Sequence, residues 1–446
     1  MKPRRVAIVL VALATACTSE PGGGGVNIPE STVATSPPTS VTTTTTTPTT
    51  TFAPTTTNAP TTTSTMPSLQ VSGRVMDEGG SPLARAFVTM RDLRQVTGPD
   101  GWFSFATPSP AAMTVSKPGW SSIELEWDEA TTFFEATISP VTIRGLRVAA
   151  EAAADDATFD KLLNLADETA VNALVFDTKR EGGKILYDTS VQAAHEIGAV
   201  EVYYDPGQRI AQAHEHGLYT ITRIVTFEDP LRAGAFPDET LIGPWLDPSS
   251  QSARKYVVNL AEEACRLGFD EIQFDYVRYP SGRNAEISGQ RDLTQEQRLD
   301  AVAGFLAEAR ELLHPMGCAV SAAVFGIVVS STDDQGIGQR PEEISVQVDT
   351  FSPMVYPSHY SEGWLGFEDP NDHPYDVTAD AISDTIPRLH EGTRLRPYLQ
   401  AFWWTNAQIR QSIQAAEDAG IGWLLWNVRS NFDLEALPSD AEVSGE

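Results

Sequence analysis

Gly268-Phe269-Asp270-Glu271-Ile272-Gln273-Phe274-Asp275-Tyr276-Val277-Arg278-Tyr279-Pro280 carries the architecture in miniature. An amphipathic helical pattern from Gln251 to Leu267 precedes it, and Gly268 stands where a glycine commonly ends a helix. Glu271 to Tyr276 then reads as a strand whose apolar body closes on a carboxylate, Asp275, with an aromatic and a basic residue following. Helix, glycine stop, strand and polar strand end make up one unit of an alternating chain.

The same unit recurs on both sides. Further strands are expected at Arg144–Ala149, Ala173–Asp177, Tyr219–Phe227, Ala319–Phe325, Thr350–Tyr356, Arg396–Phe402 and Gly422–Trp426. Between them lie helical patterns such as Ala157–Thr169, Gln295–Leu313 and Asn406–Ala419. Eight strands alternating with helices over residues 142–435 predict an α/β fold, a (β/α)8 TIM barrel. A doubly wound open sheet also alternates, but it usually has fewer strands. No glycine-rich dinucleotide turn follows the first strand.

A barrel of this kind does its chemistry at the C-terminal strand ends. Those ends hold Asp177, Arg223, Glu228, Asp229, Asp275, Arg278, Tyr356, His359, Trp403, Trp426 and Asn427. Aromatic faces suit sugar C–H groups, and carboxylates, amides and arginines suit hydroxyls. Glycoside hydrolysis asks for two carboxyl groups, one to protonate the leaving oxygen and one to attack or to activate water. Asp275 is the first candidate, since a carboxylate closing an apolar strand is costly to bury unless it is used. Its alternative is an ion pair with Arg223 or Arg278 that braces the rim. Asp229, Glu228 and Asp177 are candidates for the second carboxyl. Asp229 could instead start the turn before Pro230, and Asp177 could pair with Lys179 or Arg180. Arg223, Arg278, Tyr356, His359, Trp403, Trp426 and Asn427 are the expected substrate-binding residues. Seven histidines without a His-x-x-x-His spacing offer no zinc motif, and no cofactor is expected.

The run from Gly268 to Pro280 resembles the signature of a bacterial family of proposed glycoside hydrolase barrels. Arg223-Ile224-Val225 with Asp229-Pro230, Ser321 to Gly326, Ser352 to Tyr360 and Trp423 to Asn427 are similar to it too. The resemblance spans nearly all of 142–435 and implies a barrel that hydrolyses a glycan. One position departs: the family tends to carry Asp in the strand-five run, where this chain has Ala323. That departure motivates an alternative, a non-catalytic glycan-binding barrel of the cell envelope. A chitinase-type strand end, Asp-x-Asp-x-Glu, does not fit, because Gln273 and Val277 stand where it needs an Asp and its Glu.

Toward the N-terminus the chain changes character. Residues 69–140 are expected to form about six short strands in a β-sandwich, with turn clusters at 78–82 and 98–101. Ser72-Gly73-Arg74-Val75, Pro82-Leu83, Ala86-Phe87-Val88 and Thr97 to Phe103 resemble the carboxypeptidase regulatory-like (transthyretin-like) module. Trp102, Trp120 and Trp127 are candidate sugar platforms there, with core packing the alternative. Residues 18–66 are nearly uncharged, and Thr fills 19 of the 34 positions from Thr32 to Thr65. Such a stretch cannot bury enough surface to offset chain entropy and reads as a disordered Thr/Pro-rich stalk. Lys2, Arg4 and Arg5 precede an apolar Val6–Leu13 run, and Ala14-Thr15-Ala16-Cys17 ends the segment. This resembles a bacterial lipoprotein signal over 1–17, which implies lipidation at Cys17 and a membrane-anchored, extracytoplasmic protein; plain secretion is the alternative.

Across its 446 residues the chain has 31 basic against 60 acidic side chains, a net charge of −29. That excludes the basic footprint of a nucleic-acid binder. The expected partners are a polysaccharide or oligosaccharide and a membrane reached through the lipid. Three cysteines make no disulfide framework, and Cys265 and Cys318 read as small buried apolar residues, with a bond between them left open. Asp333-Asp334 and Asp369 to Asp372 are either calcium-type loops or solvated acids.

Overall fold

The structure, a computed structural model, describes residues 69–444. The signal-like segment, Cys17 and the threonine-rich stretch lie outside the described residues.

Seven strands build the sandwich. In one sheet Leu69–Met76 runs antiparallel to Trp102–Thr107 and parallel to Phe133–Thr137. In the other, Leu93–Val96, Phe87–Met90, Met113–Ser116 and Ile123–Leu125 are antiparallel neighbours. Period-two alternation does the folding: Phe103 and Phe105 turn inward onto Val71, Val75, Met113 and Val115, while Trp102 and Ser104 turn outward. Two of the seven strands had no strong sequence signal. Leu93–Val96 buries none of its residues, and Ile123–Leu125 is three residues long. Gly101 has φ +69°, and a Cβ there would lie 2.4 Å from the Val75 carbonyl oxygen, so the Asp-Gly turn depends on its glycine. Trp127 is core, its indole N–H donating to Thr131 O at 2.8 Å. Trp120 packs against the Arg394 guanidinium, 5.2 Å from its ring. Trp102 alone of the three is well exposed, 5.7 Å from Phe133.

Eight parallel strands close the barrel: Arg144–Val148, Ala173–Lys179, Tyr219–Val225, Glu271–Asp275, Ala319–Phe325, Thr350–Val355, Arg394–Leu395 with Tyr398–Gln400, and Trp423–Trp426. Every neighbouring pair is parallel, and pairing of the fifth strand with the sixth completes the ring. The seventh strand is interrupted around Pro397, which has no N–H for a ladder bond. Helices Gln251–Leu267 and Gln295–Leu313 fall where the sequence placed them. Gly268 caps the former in the left-handed region at φ +109°. Shorter helices such as Ala150–Ala154 and Pro230–Ala235 gave too few turns for a readable periodicity.

Alternation on the fourth strand sets the geometry of the interior. Ile272 and Phe274 join the core under the helices. Glu271, Gln273 and Asp275 point into the barrel at three successive levels. Glu271 meets Arg396 and Ser321, Gln273 meets Tyr398 and Ser352, and Asp275 meets Arg223. Ala323 is fully buried in the same interior with Tyr356, Tyr398 and Leu424.

Cys265 and Cys318 are joined in a disulfide, Cα–Cα 6.0 Å, tying the helix before the fourth strand to the start of the fifth. Their burial, 8% and 3% exposed, agrees with the sequence reading, but they are cross-linked rather than free apolar thiols. Asp334 is engaged by Arg298 at 2.7 Å and 2.9 Å, a buried ion pair rather than an open acidic loop.

Candidate active site

One guanidinium organises the C-terminal rim. Arg223, 1% exposed on the third strand, donates from Nε to Asp275 Oδ2 at 2.8 Å and from Nη1 to Asp177 Oδ1 at 3.3 Å, and Nη2 reaches Glu181. Asp177 is also gripped by Arg147, which donates its other nitrogen to Asn427 O and Val428 O at 3.0 Å and 2.9 Å. Trp426 lies over both arginines, 4.0 Å from Arg147 and 4.7 Å from Arg223, so its ring is the floor of this cluster.

Asp275 is 3% exposed. Besides Arg223 it accepts the N–H of Tyr276 at 2.7 Å. These donors all suit a carboxylate, which only accepts hydrogen bonds. Tyr276, directly after it, sits in the left-handed region at φ +49°. A non-glycine residue there costs on the order of 1–3 kcal/mol, and such strain tends to gather at working sites. The turn sends the Tyr276 ring toward Trp245, 5.9 Å away.

The other carboxyl candidates separate by environment. Asp229 is fully buried, pairs with Lys179 Nζ at 3.0 Å and caps helix Pro230–Ala235 by accepting Arg232 N–H at 2.9 Å. Gly183 closes over it, for a Cβ at 183 would lie 2.3 Å from Asp229 Oδ1. Asp229 is thus withdrawn from the cleft into a structural pair. Asp177 is clamped between two arginines. Glu228, half-buried, accepts only the Gly182 N–H at 3.2 Å, and burial raises its pKa, with Glu181 and Asp229 adding to the rise. Glu181 goes the other way: although burial opposes it, Arg223 holds its carboxyl down at about 2. Glu181 and Arg147 were not among the expected site residues, and Lys179, expected as a partner of Asp177, pairs with Asp229 instead, while Asp177 pairs with Arg147 and Arg223. Their signal was available, since Arg147 and Lys179 lie on the inward-facing positions of their strands and Glu181 follows directly.

The opposite side of the rim is aromatic. Tyr356 is buried, with His359 5.4 Å and Phe402 5.4 Å away. His359 packs at 6.1 Å on Phe402, and desolvation lowers its imidazole pKa. Trp403 is 79% exposed and held at φ +62°, a strained backbone that presents an indole to solvent. Asn427 spends its amide on the loop, donating to Ala401 O at 2.6 Å and accepting from Arg429 N–H and Asn431 N–H. Arg278 is buried between Trp245, Tyr276 and Phe325. Among the described residues no His/Cys/Asp/Glu cluster could hold a metal.

Residues 145–432 match the family model DUF4015, described as "Putative glycosyl hydrolase domain". No curated protein matches the chain. The glycoside hydrolase domain of PgaB (BpsB) from Bordetella bronchiseptica is similar over 65% of this chain and 95% of its own, at 12% identity and TM-score 0.50, a likeness of fold. A hypothetical protein from Ruminiclostridium thermocellum is 30% identical over 40% of this chain and 96% of its own, TM-score 0.35. The glycoside hydrolase domain of PelA from Pseudomonas aeruginosa is 10% identical over 66% of this chain and 97% of its own, TM-score 0.40.

Proposed function

The chain belongs to the DUF4015 family of putative glycosyl hydrolase domains, and on that premise we propose that it is a surface-anchored glycoside hydrolase that cleaves a polysaccharide at the C-terminal rim of its barrel. The observation that carries this reading is the division of labour between two rim carboxyls. Asp275 accepts hydrogen bonds from Arg223 Nε and Tyr276 N–H. Glu228 is a rim carboxyl whose pKa is raised. A rim carboxyl whose pKa is raised fits a general acid, and an acceptor carboxylate held by Arg223 beside it fits a base or nucleophile. Glu228 donates its proton to the leaving oxygen as the glycosidic C–O bond breaks. Asp275 attacks the anomeric carbon, or takes a proton from the water that does. Water finally supplies hydroxyl to that carbon, and its proton restores Glu228 or is carried off by Asp275. Trp403 and the Tyr356–Phe402 wall offer sugar-facing surfaces.

The same reading places Cys17 as the lipidated N-terminus, the threonine-rich stretch as a stalk and the sandwich as a carboxypeptidase regulatory-like accessory module. Membrane partition of the full-length protein, lost in Cys17→Ser, tests the anchor. A non-catalytic glycan binder is favoured by one observation: Ala323 leaves the fifth strand without an interior carboxyl. Product release from a panel of envelope and extracellular polysaccharides separates the two. Release by the wild type and its loss in folded Asp275→Asn supports the hydrolase; binding without release supports the binder.

A further inference from the structure

Eight arginines of the described chain are nine-tenths or more buried, and seven have a carboxylate within 4.0 Å: Arg147, Arg209, Arg223, Arg232, Arg254, Arg298 and Arg396. Arg278 is the exception. It is 5% exposed, and one hydrogen bond is made by its five donors, Nη1 to Tyr279 O at 2.9 Å. Aromatic rings flank it: Phe325 at 4.1 Å, Trp245 at 4.6 Å and Tyr276 at 5.1 Å. Asp275 and Glu228 both act on its charge, yet neither forms an ion pair with it, and burial pushes it down to about 10. A buried guanidinium is ordinarily matched by an anion, because an unpaired buried charge is costly. Ring faces offset part of that cost and leave the planar fork unsatisfied.

We infer that Arg278 is an anion-recognition residue beside the scissile position, and that the substrate is an acidic glycan whose carboxylate-bearing sugar docks on its free edge. This rests on the glycoside reading of the same cleft and names its substrate class. The fork of arginine matches a carboxylate with two parallel hydrogen bonds, which a neutral hydroxymethyl group cannot reproduce. A uronic acid ring and the lactyl ether of muramic acid both carry such a carboxylate, and the chemistry at Arg278 is the same for either. Tyr276, strained at φ +49°, carries the chain from Asp275 to Arg278, three residues on, so the rim carboxylate and the anion subsite lie close in the chain. The net charge of −29 opposes the approach of an anionic polymer at long range. Work at about 0.15 M salt, where the screening length is about 8 Å, removes most of that opposition and leaves the short contact.

The test uses the full-length protein and matched probes. Polygalacturonate and hyaluronan supply uronates, and muramic-acid-containing glycan strands supply the lactyl carboxylate. Each is paired with its own carboxyl-reduced form, in which the acid has become an alcohol. Wild type is expected to prefer at least one acidic probe over its reduced partner by about 10- to 100-fold in Kd or kcat/KM, the weight of a charge-assisted pair. Arg278→Gln should abolish that preference, mainly through KM, and Arg278→Lys should keep part of it, with Tm reporting that both fold. Equal handling of acidic and reduced probes overturns the proposal, as does preference retained in Arg278→Gln or no binding to any acidic probe. Hydrolysis of neutral glycans without preference removes the anion subsite and leaves the hydrolase standing. Selective binding of an acidic glycan without cleavage does the reverse.

Discussion

The fourth barrel strand carries a buried arginine–carboxylate cluster at each end, and the two are built differently. At the N-terminal end Glu271 meets Arg396, and Ser321 donates to the same carboxylate. One cation answers one anion, and the pair is closed off from solvent at 1% and 5% side-chain exposure. At the C-terminal end Arg223 is shared by Asp275, Asp177 and Glu181, with Arg147 as the second cation. Three carboxylates face two guanidiniums, and Glu228 stands half-buried nearby. A matched pair braces; an unmatched, partly open cluster at the strand tops has charge left over for chemistry. The lesson is that a buried ion pair on Asp275 does not by itself mark it as structural. The count of partners and the end of the barrel discriminate.

The sharpest way to break that contrast is to neutralise each end in turn. Asp275→Asn should lower kcat by about 10³-fold or more, in the range of lost acid–base or nucleophile function. Its Tm should change little, because Arg223 keeps Asp177 and Glu181. Glu271→Gln should do the opposite. It leaves Arg396 without its carboxylate, costing about 3–5 kcal/mol by thermal or denaturant unfolding, with kcat per folded molecule near wild type. Equal effects of the two variants on kcat would sink the distinction.

Glu228→Gln tests the second carboxyl. The expected loss is about 10²-fold in kcat. The wild-type rate should fall as pH rises through the raised pKa of Glu228, and the variant should lose that limb. The linkage has the same direction: a carboxyl whose folded pKa exceeds its unfolded value adds stability below the unfolded pKa, near 4.5, and loses it as pH rises through the folded one. An unchanged pH profile in Glu228→Gln would remove it as the acid.

The barrel was legible because its signals are local. Long amphipathic helices such as Gln251–Leu267 and Gln295–Leu313, and apolar strands such as Ala319–Phe325, declare themselves by period. The candidate site was legible only by position. Strand-end logic put Asp275, Glu228 and Arg223 at the rim, where the structure has them, but it could not tell that Gly183 seals Asp229 away or that Asn427 is occupied by its own loop. Those outcomes depend on contacts between segments far apart in sequence. The disulfide, left open by the sequence, was undecidable for the same reason: 53 residues separate Cys265 from Cys318, and only the pairing of the fourth and fifth strands brings them together. Glu181 was missed because it lies past the strand end, where period-two reasoning stops, and only Arg223 reveals its role.

The aromatic side of the rim sharpens the contrast from another direction, since its parts should matter for binding and hardly for stability. Trp403→Ala is expected to raise KM about 10-fold on a polymeric substrate, the weight of one lost stacking surface, with kcat preserved. Stability should shift by no more than about 0.5 kcal/mol, because an indole that is 79% exposed buries little. Trp403→Gly adds a control. It removes the same ring and relieves the positive φ, so any gain in Tm over the alanine variant measures the strain held at φ +62°. A Trp403→Ala variant with unaltered KM would assign that strain to the fold and place the glycan-facing surface elsewhere.

The smallest effect belongs to Glu181. Arg223 holds its carboxyl down at about 2, so the folded pKa lies below the unfolded one. The sign is therefore opposite to that of Glu228: its contribution is complete above about pH 4.5 and is lost as pH falls toward 2. Solvent reaches 41% of the Glu181 side chain, and screening keeps that contribution small. Glu181→Gln should flatten the acid limb of a Tm-against-pH curve between about pH 4.5 and 2, with little change at pH 7. If the limb is unchanged, Arg223 is satisfied by Asp275 and Asp177 alone. The C-terminal cluster would then be closer to balance, two carboxylates for two guanidiniums, and Glu228 would stand as its one surplus acid.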